Sequence, residues 1–151
     1  MPGKLTLAVY TKEDRAFVPT LGRTDLGLPV ETEKLVECAL SVDELAAAIK
    51  GARAEGNPAM PHPSPSELAR PTALQKKLGK PSSRKMARMG MMLSVLSWDD
   101  DAIRIAFTSS DANDVLAVDY VHELTLPLDA SDEELARQVV QEVFRRRARS
   151  S

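Results

Sequence analysis

The chain has 151 residues, of which 43% are hydrophobic and 28% are charged. This length and composition are typical of one globular domain and exclude a largely disordered chain. The formal net charge of −2 selects no class of partner by itself. The single cysteine excludes an internal disulfide, and no apolar run approaches the roughly 20 residues of a membrane span, so we expect a cytoplasmic protein that does not contact membranes.

Three strands are predicted at the start of the chain, where apolar and polar residues alternate. They cover residues 4–10, 15–20 and 30–40. Pro19 marks an edge or an end of the second strand, because proline has no N–H to give to a sheet. On the third strand we expect Val36 and Cys38 to point inward, and a thiol buried in this position would be unreactive.

A helix follows the third strand. Ser41, with Glu44 three residues later, is a capping-box sequence, in which the serine hydroxyl accepts a backbone N–H and the glutamate reaches back. Gly51 or Gly56 ends this helix. Apolar residues recur along it at helical spacing, namely Val42, Leu45, Ala46, Ile49 and Ala52.

The stretch GNPAMPHPSP, residues 56–65, holds four of the ten prolines and one of the two histidines. It could be a flexible linker between two domains or an ordered loop within one. Prolines fix φ and reduce the entropy that is lost when a loop becomes ordered. We therefore predict an ordered loop that is pinned by His62 and that resists proteolysis.

The second half is predicted to contain short helical turns, four strands and a final helix. Prolines interrupt the helical turns, and a brief break near Tyr120 separates the last two strands. Ser131 and Glu134 form a second capping box, which opens the final helix. The strands cover residues 89–98, 102–109, 114–119 and 121–128, and the residues expected on the buried side of the helix are Leu135, Val139, Val143 and Phe144.

This order of elements predicts the fold. Gaps of hairpin length between strands imply antiparallel pairing, because parallel neighbours need long crossovers. Neither half holds enough strands and helices to bury a core alone. We therefore predict one α+β domain over residues 1–151, with a mainly antiparallel sheet of about six or seven strands, two main helices and short helical turns.

Charge is distributed unevenly along the chain. Between residues 70 and 98 there are seven basic residues and no acid: Arg70, Lys76, Lys77, Lys80, Arg84, Lys85 and Arg88. We call residues 70–88 the basic segment. Between residues 99 and 134 there are eleven acids and one base, Arg104. Such an asymmetry indicates surfaces of opposite sign.

The basic segment has two interpretations. Clustered lysines and arginines can bind phosphate, which makes an RNA-binding module the alternative function of the protein. Against this, aromatic residues make up only 4% of the chain, so few side chains could stack on bases. The simpler interpretation is a solvated surface that the protein's own acids partly neutralise, and we expect no direct nucleic-acid binding.

The acidic region is the candidate partner-binding site. Its carboxylates lie in and beside the connections between predicted strands, so several should share one edge of the sheet, where a negative field would attract a basic partner surface. The alternative is that these acids only make the turns soluble. The candidate residues are Asp99, Asp100, Asp101, Asp111, Asp114, Asp119 and Glu123.

Motifs for catalysis and cofactor binding are absent from the sequence. It has no phosphate-binding glycine loop, no dinucleotide fingerprint and no spacing of Cys and His that suits a metal. We therefore predict no cofactor, no metal and no catalytic residue. An enzyme that uses His62 or His122 beside an acid is the remaining catalytic alternative.

Four stretches of the chain together resemble one protein family. They are RAFVPTLGRTDLG, SVDELAAAIKGARAEGNPAMPHPSP, LSVLSWDDDAIRIAF and PLDASDEELARQVVQEVF. In this order, and most clearly through PTLGRT, GNP with HP after it, and SW, the sequence is similar to immunity proteins of bacterial contact-dependent growth inhibition systems, the CdiI family. Residues 66–92 match this family only by their position.

The resemblance implies a cytoplasmic protein that binds the toxin domain of its own system and neutralises it. Many toxins of these systems are nucleases that act on tRNA, so the expected partner is a toxin C-terminal domain with nuclease activity. A nuclease cleft is basic because it holds phosphates, which agrees with an acidic partner-binding surface. The resemblance assigns no binding residue, and the seven candidates depend on charge alone.

Overall fold

Seven strands in the described part of the chain form one sheet. The computed structural model of the protein describes residues 5–108 and 118–150, and for residues 83, 118–122, 149 and 150 the backbone alone. The order across the sheet is β3-β2-β1-β5-β6-β7 with antiparallel neighbours, and β4 pairs in parallel with β2. The strands are β1 (Leu5–Lys12), β2 (Arg15–Thr24), β3 (Pro29–Ala39), β4 (Ala59–Met60), β5 (Met92–Trp98), β6 (Ile103–Thr108) and β7 (Val118–Leu126).

Two long helices and three short ones accompany the sheet in these residues. They are α1 (Val42–Glu55), α2 (Pro65–Leu68), α3 (Ala73–Lys77), α4 (Ser83–Arg88) and α5 (Asp132–Ser150). The predicted α+β domain, with a mainly antiparallel sheet, two main helices and short helical turns, is confirmed. None of the helices in the described ranges is both long and apolar enough to cross a membrane.

The helices α1 and α5 cover one face of the sheet, which we call the helical face. Apolar residues at helical spacing form a stripe on each helix, and the stripes turn toward the sheet as predicted. Phe144 is an exception and corrects the prediction, because it is 51% exposed with the Arg147 guanidinium against its ring. The core on this face includes Leu7, Val9, Leu45, Ile49, Ile103, Ile105, Phe107, Leu135 and Val139.

The short helices α3 and α4 cover the opposite face. Leu74 of α3 and Met86 of α4 are in one buried cluster with the sheet residues Tyr10, Phe17 and Leu93. Each of these side chains is at most 5% exposed. The basic segment therefore belongs to the fold, with its apolar residues turned toward the sheet.

Hydroxyl side chains cap the helices. Ser41 and Ser131 accept the N–H of the glutamate three residues later, as predicted. The carboxylate of Glu44, however, binds the N–H of Ala39 instead of reaching back to the cap. The complete capping boxes lie at the short helices, at Ser64 with Glu67 and at Thr72 with Gln75.

β2 does not end at Pro19. It continues to Thr24 in its pairing with β3, whereas its pairing with β1 covers only residues 15–17. The register with β3 shifts between Pro19 and Leu21. The predicted strand end was wrong, whereas the predicted edge agrees with the lack of a β1 partner for Pro19.

β7 is continuous across Tyr120, where a break was predicted. Its register with β6 shifts between Ile105 and Phe107. The irregular sequence pattern is therefore a bulge within one strand and not a gap between two strands. Residues 114–117 of the predicted third strand of the second half lie outside the described residues.

Residues 56–65 lead from the helical face to the opposite face through a gap between β1 and β2. The amide of Asn57 fills this gap. Its Nδ2 donates to the carbonyl oxygens of Thr6 at 2.8 Å and Leu21 at 3.0 Å, and its Oδ1 accepts the N–H of Thr6 at 2.8 Å. His62 is exposed and makes no hydrogen bond within the described residues, so Asn57 holds the loop and the prediction for His62 was wrong.

Two of the motifs that carry the family resemblance meet at this gap. The N–H of Arg23, in PTLGRT, donates to the carbonyl oxygen of Pro58, in GNP, at 2.9 Å. A Cβ atom at Gly22 would lie 2.3 Å from the sulfur of Met60, so a larger residue there would displace the Met60 side chain. These motifs therefore form one structural unit of the fold.

Candidate functional site

The connection between β5 and β6 is a tight acidic turn, residues 99–102. The N–H of Asp99 donates to the carbonyl oxygen of Ala102 at 3.1 Å. The Asp99 carboxylate in turn accepts the N–H groups of Ala102 and Asp101, both at 2.9 Å. These backbone donors, together with Arg104, lower the pKa of Asp99. Asp99 therefore builds the turn as an ionised side chain.

Arg104 on β6 joins two of the candidate residues. Its Nη1 lies 2.6 Å from Asp99 Oδ2, and its Nε lies 3.5 Å from Glu123 Oε1 on β7. All three side chains are partly exposed. Because Arg104 offsets part of their charge, Asp99 and Glu123 present less negative charge to a partner than isolated carboxylates would.

The other candidates are not all in one place. Asp100 and Asp101 are exposed at the tip of the turn. Asp119 pairs with Phe107, toward the other end of β6 from the turn, and its side chain is not described. Asp111 and Asp114 lie outside the described residues. The four candidates that the structure brings together are Asp99, Asp100, Asp101 and Glu123.

The beginning of α5 lies at the same end of the sheet as the acidic turn. Leu126, the last residue of β7, pairs with Ile103, the first residue after the turn, and α5 begins shortly after Leu126. The predicted candidates did not include the acids before and at the beginning of α5, Asp129, Asp132 and Glu133, although these belong to the same acidic run. The pairing of β6 with β7 would have placed them near the turn. We define the acidic end of the molecule as Asp99, Asp100, Asp101, Asp129, Asp132 and Glu133.

Arg53 ties the acidic end to α1. Its guanidinium lies 5.2 Å from the centroid of the Trp98 ring, a cation–π distance. Its Nη1 lies 2.7 Å from Asp132 Oδ1. Trp98 is 7% exposed, so the tryptophan of the SW motif has a structural role, and Arg53 links α1, β5 and α5.

A cleft of about 490 Å³ separates α1 from the edge strand β3. Val36 lines it and is 51% exposed, whereas Cys38 on the same side of the strand is 8% exposed. The prediction that Val36 points into the core was therefore wrong, because this cleft separates its side chain from α1. Burial raises the pKa of the Cys38 thiol, which agrees with the expected unreactive cysteine.

The residues of the catalytic alternative are dispersed. His62 lies in an exposed loop, and His122 lies on β7 with its side chain outside the described set. In the described ranges, no group of three or more His, Cys, Asp or Glu side chains could hold a metal ion. The arrangement best suited to a function is therefore the acidic end, which can bind a basic surface.

Comparisons with known proteins give similarity at the level of the fold. No protein-family model matches the sequence, and no curated protein matches it. A protein of unknown function from Neisseria meningitidis aligns with a TM-score of 0.61 and 13% identity, over 97% of this chain and 98% of that chain. A chain of the CdiA-CT/CdiI toxin and immunity complex from Yersinia pseudotuberculosis aligns with a TM-score of 0.57 and 14% identity, over 94% and 96% of the two chains.

Proposed function

We propose that the protein is an immunity protein that binds and neutralises the toxin domain of a contact-dependent growth inhibition system. The observation that carries this proposal is the fold similarity to a chain of a CdiA-CT/CdiI toxin and immunity complex, over 94% of this chain. The motifs PTLGRT, GNP and SW support it independently, since they suggested the same family from the sequence. The protein would act by binding and not by catalysis.

The expected partner is a toxin nuclease whose substrate cleft is basic. A cleft that holds phosphates attracts carboxylates for the same reason, and an acidic surface that occupies it excludes the substrate. The acidic end offers such a surface, because Asp100 and Asp101 are exposed on a turn that hydrogen bonds fix. A fixed turn loses little entropy when it binds.

The candidate residues divide into two roles within this proposal. Asp100 and Asp101 point into solvent and would steer the encounter with the toxin. Asp99 and Glu123 are held by Arg104 and would shape the turn. Asp111, Asp114 and Asp119 remain predicted rim contacts that depend on the sequence alone.

The test compares association kinetics of variants with the cognate toxin domain. The substitutions D100N and D101N together should slow association by about three- to tenfold at low salt, and the difference should shrink at high salt, because exposed charges act mainly on the association rate. Adding D99N should slow association further. A carboxylate that becomes buried against a toxin Arg or Lys should instead raise the dissociation rate, at a cost of about 2–5 kcal/mol.

A matched control lies in the turn between β1 and β2, at the opposite end of the sheet. Glu13 and Asp14 are adjacent, exposed acids there, and E13Q with D14N changes the net charge by the same amount. We expect this control to associate like the wild type. Equal slowing in both double variants would show that net charge alone causes the effect. Unchanged kinetics in D100N with D101N, together with intact protection against the toxin, would show that the toxin binds elsewhere.

A further inference from the structure

The basic segment presents all its charge on one side of the molecule. Leu74 and Met86 fix α3 and α4 on the opposite face of the sheet. The seven basic residues of the segment are all exposed. Because no acid lies between residues 68 and 98, the segment supplies no carboxylate of its own to balance them.

The protein's own acids neutralise only two of these residues. Lys76 Nζ lies 3.4 Å from Glu33 Oε2, and Lys77 Nζ lies 2.9 Å from Glu37 Oε1, both on β3. The other five basic residues have no carboxylate within ion-pair distance among the described residues: Arg70, Lys80, Arg84, Lys85 and Arg88. Arg70 precedes α3, and the other four of these residues lie at α4 and in the connection before it.

Gln75 holds the connection between α3 and α4 in a fixed shape. Its Oε1 accepts the N–H of Thr72 at 2.9 Å, and its Nε2 donates to the carbonyl oxygen of Pro81 at 3.1 Å. Its backbone carbonyl accepts the N–H of Lys80 at 2.6 Å. Lys80 adopts a φ of 62°, a left-handed conformation that lysine rarely takes. The unbalanced charges are thus presented by an ordered surface and not by a mobile tail.

We propose that this surface, formed by Lys80, Arg84, Lys85 and Arg88, binds the phosphate backbone of single-stranded RNA. Exposed cations of one sign match a polymer of phosphates and give binding that is independent of base sequence. Binding through the phosphate backbone needs no element that enters a groove, so an α4 of six residues, about 9 Å long, is sufficient. A lipid surface is disfavoured because the helices turn Leu74 and Met86 into the core, where they cannot insert into a bilayer.

This proposal departs from the expectation of no nucleic-acid binding. That expectation rested on the few aromatic residues and on partial neutralisation by the protein's own acids, whereas among the described residues Lys76 and Lys77 alone of the seven pair with acids. The proposal does not depend on the acidic end, which lies elsewhere on the sheet. Binding of RNA and binding of a toxin can therefore fail separately.

The experiment measures retention of a labelled oligouridine by the full-length protein across a salt series. The affinity of the wild type should fall about 50-fold between about 50 mM and about 200 mM salt, which corresponds to four phosphate contacts on a single strand. Replacing Lys80, Arg84, Lys85 and Arg88 with glutamine should abolish this salt dependence. The matched control, K76Q with K77Q, removes the two paired lysines and should retain most of it.

One further variant and one alternative ligand make the outcome decisive. K80R with K85R keeps the charge and should bind like the wild type, and circular dichroism should show that every variant is folded. No retention by the wild type at about 50 mM salt, or equal losses in the glutamine variant and the control, would overturn the proposal. Retention on vesicles of phosphatidylserine without retention of oligouridine would overturn it in favour of a lipid surface.

Discussion

The two faces of the sheet are covered in different ways. On the helical face, α1 has 14 residues and α5 has 19. Their apolar stripes fill a core with side chains from β1, β2, β3, β5 and β6, against which Leu124 and Leu126 of β7 also pack. On the opposite face, α3 has five residues and α4 has six. Few apolar side chains and a complete capping box hold this cover in place, so a strongly charged segment can form part of a folded layer.

The largest expected effect separates the two covers. L45A on the helical face should lower the free energy of unfolding by about 3–4 kcal/mol, because α1 is fixed by α5 and the sheet and cannot close the cavity. L74A on the opposite face should cost about 2 kcal/mol, because the short α3 can move inward. Both side chains are at most 1% exposed in the wild type. Urea unfolding measures both costs.

Hydrogen exchange shows whether the two covers are independent. L74A should speed exchange in α3 and α4 and leave α1 and α5 protected, whereas L45A should speed exchange throughout the core. Equal costs in the free energy of unfolding and the same pattern of exchange in both variants would contradict the distinction between the layer of α1 and α5 and the layer of α3 and α4.

The helical face was the more predictable of the two. The stripe of apolar residues in α1 and the alternation of Ile103, Ile105 and Phe107 indicate burial directly, and the structure buries them. The errors arose where a neighbouring element decides the outcome. Val36 has the right parity for burial but faces the cleft beside α1, and β2 continues past Pro19 in its pairing with β3.

The second prediction concerns residues 56–65, which connect the two faces of the sheet. N57A should cost about 2–3 kcal/mol, because it leaves backbone groups of Thr6 and Leu21 without their hydrogen-bond partner. It should also make residues 56–65 a site of rapid proteolysis, where the wild type resists cleavage. H62A is the control and should change stability by less than about 0.5 kcal/mol. Clean cleavage of the wild type there into two folded fragments would contradict the single-domain fold.

The candidate site was less predictable than the fold. The sequence shows a run of acids, but it does not show that Arg104 pairs with both Asp99 and Glu123, because the first contact depends on the β5–β6 turn and the second on the register of β6 with β7. It also hides the position of Asp132, which a contact between helices, with Arg53 of α1, fixes at the same end of the sheet. Charge could therefore be predicted along the chain, whereas its arrangement in space follows from strand pairing and from contacts between helices.

The smallest expected effect compares one glutamate from each face. Glu142 on α5 is 7% exposed; its burial opposes ionisation, but its hydrogen bonds with Arg146 and Arg145 outweigh burial and lower its pKa. Glu31 on β3 lies on the opposite face with Leu21, its partner in β2. Its Oε2 accepts the Tyr10 hydroxyl at 2.6 Å, and its Oε1 is buried without a hydrogen bond among the described residues. Burial raises the pKa of Glu31, against the opposing effect of Tyr10.

These pKa shifts of opposite direction predict opposite effects of the same substitution. Between the ordinary pKa near 4.5 and the higher pKa of Glu31 in the folded protein, the folded state holds more protons than the unfolded state, so Glu31 makes the free energy of unfolding fall as pH rises. E31Q should remove that fall and stabilise the protein by about 0.5–1 kcal/mol at pH 7.

Glu142 contributes stability above its ordinary pKa that is lost as pH falls through the lowered value. E142Q should therefore destabilise the protein at pH 7 by about 1–2 kcal/mol and have little effect in acid. Urea unfolding from pH 4 to pH 8 measures both curves, and a loss of stability in E31Q at pH 7 would show that the Glu31 carboxylate is stabilised by a contact outside the described residues.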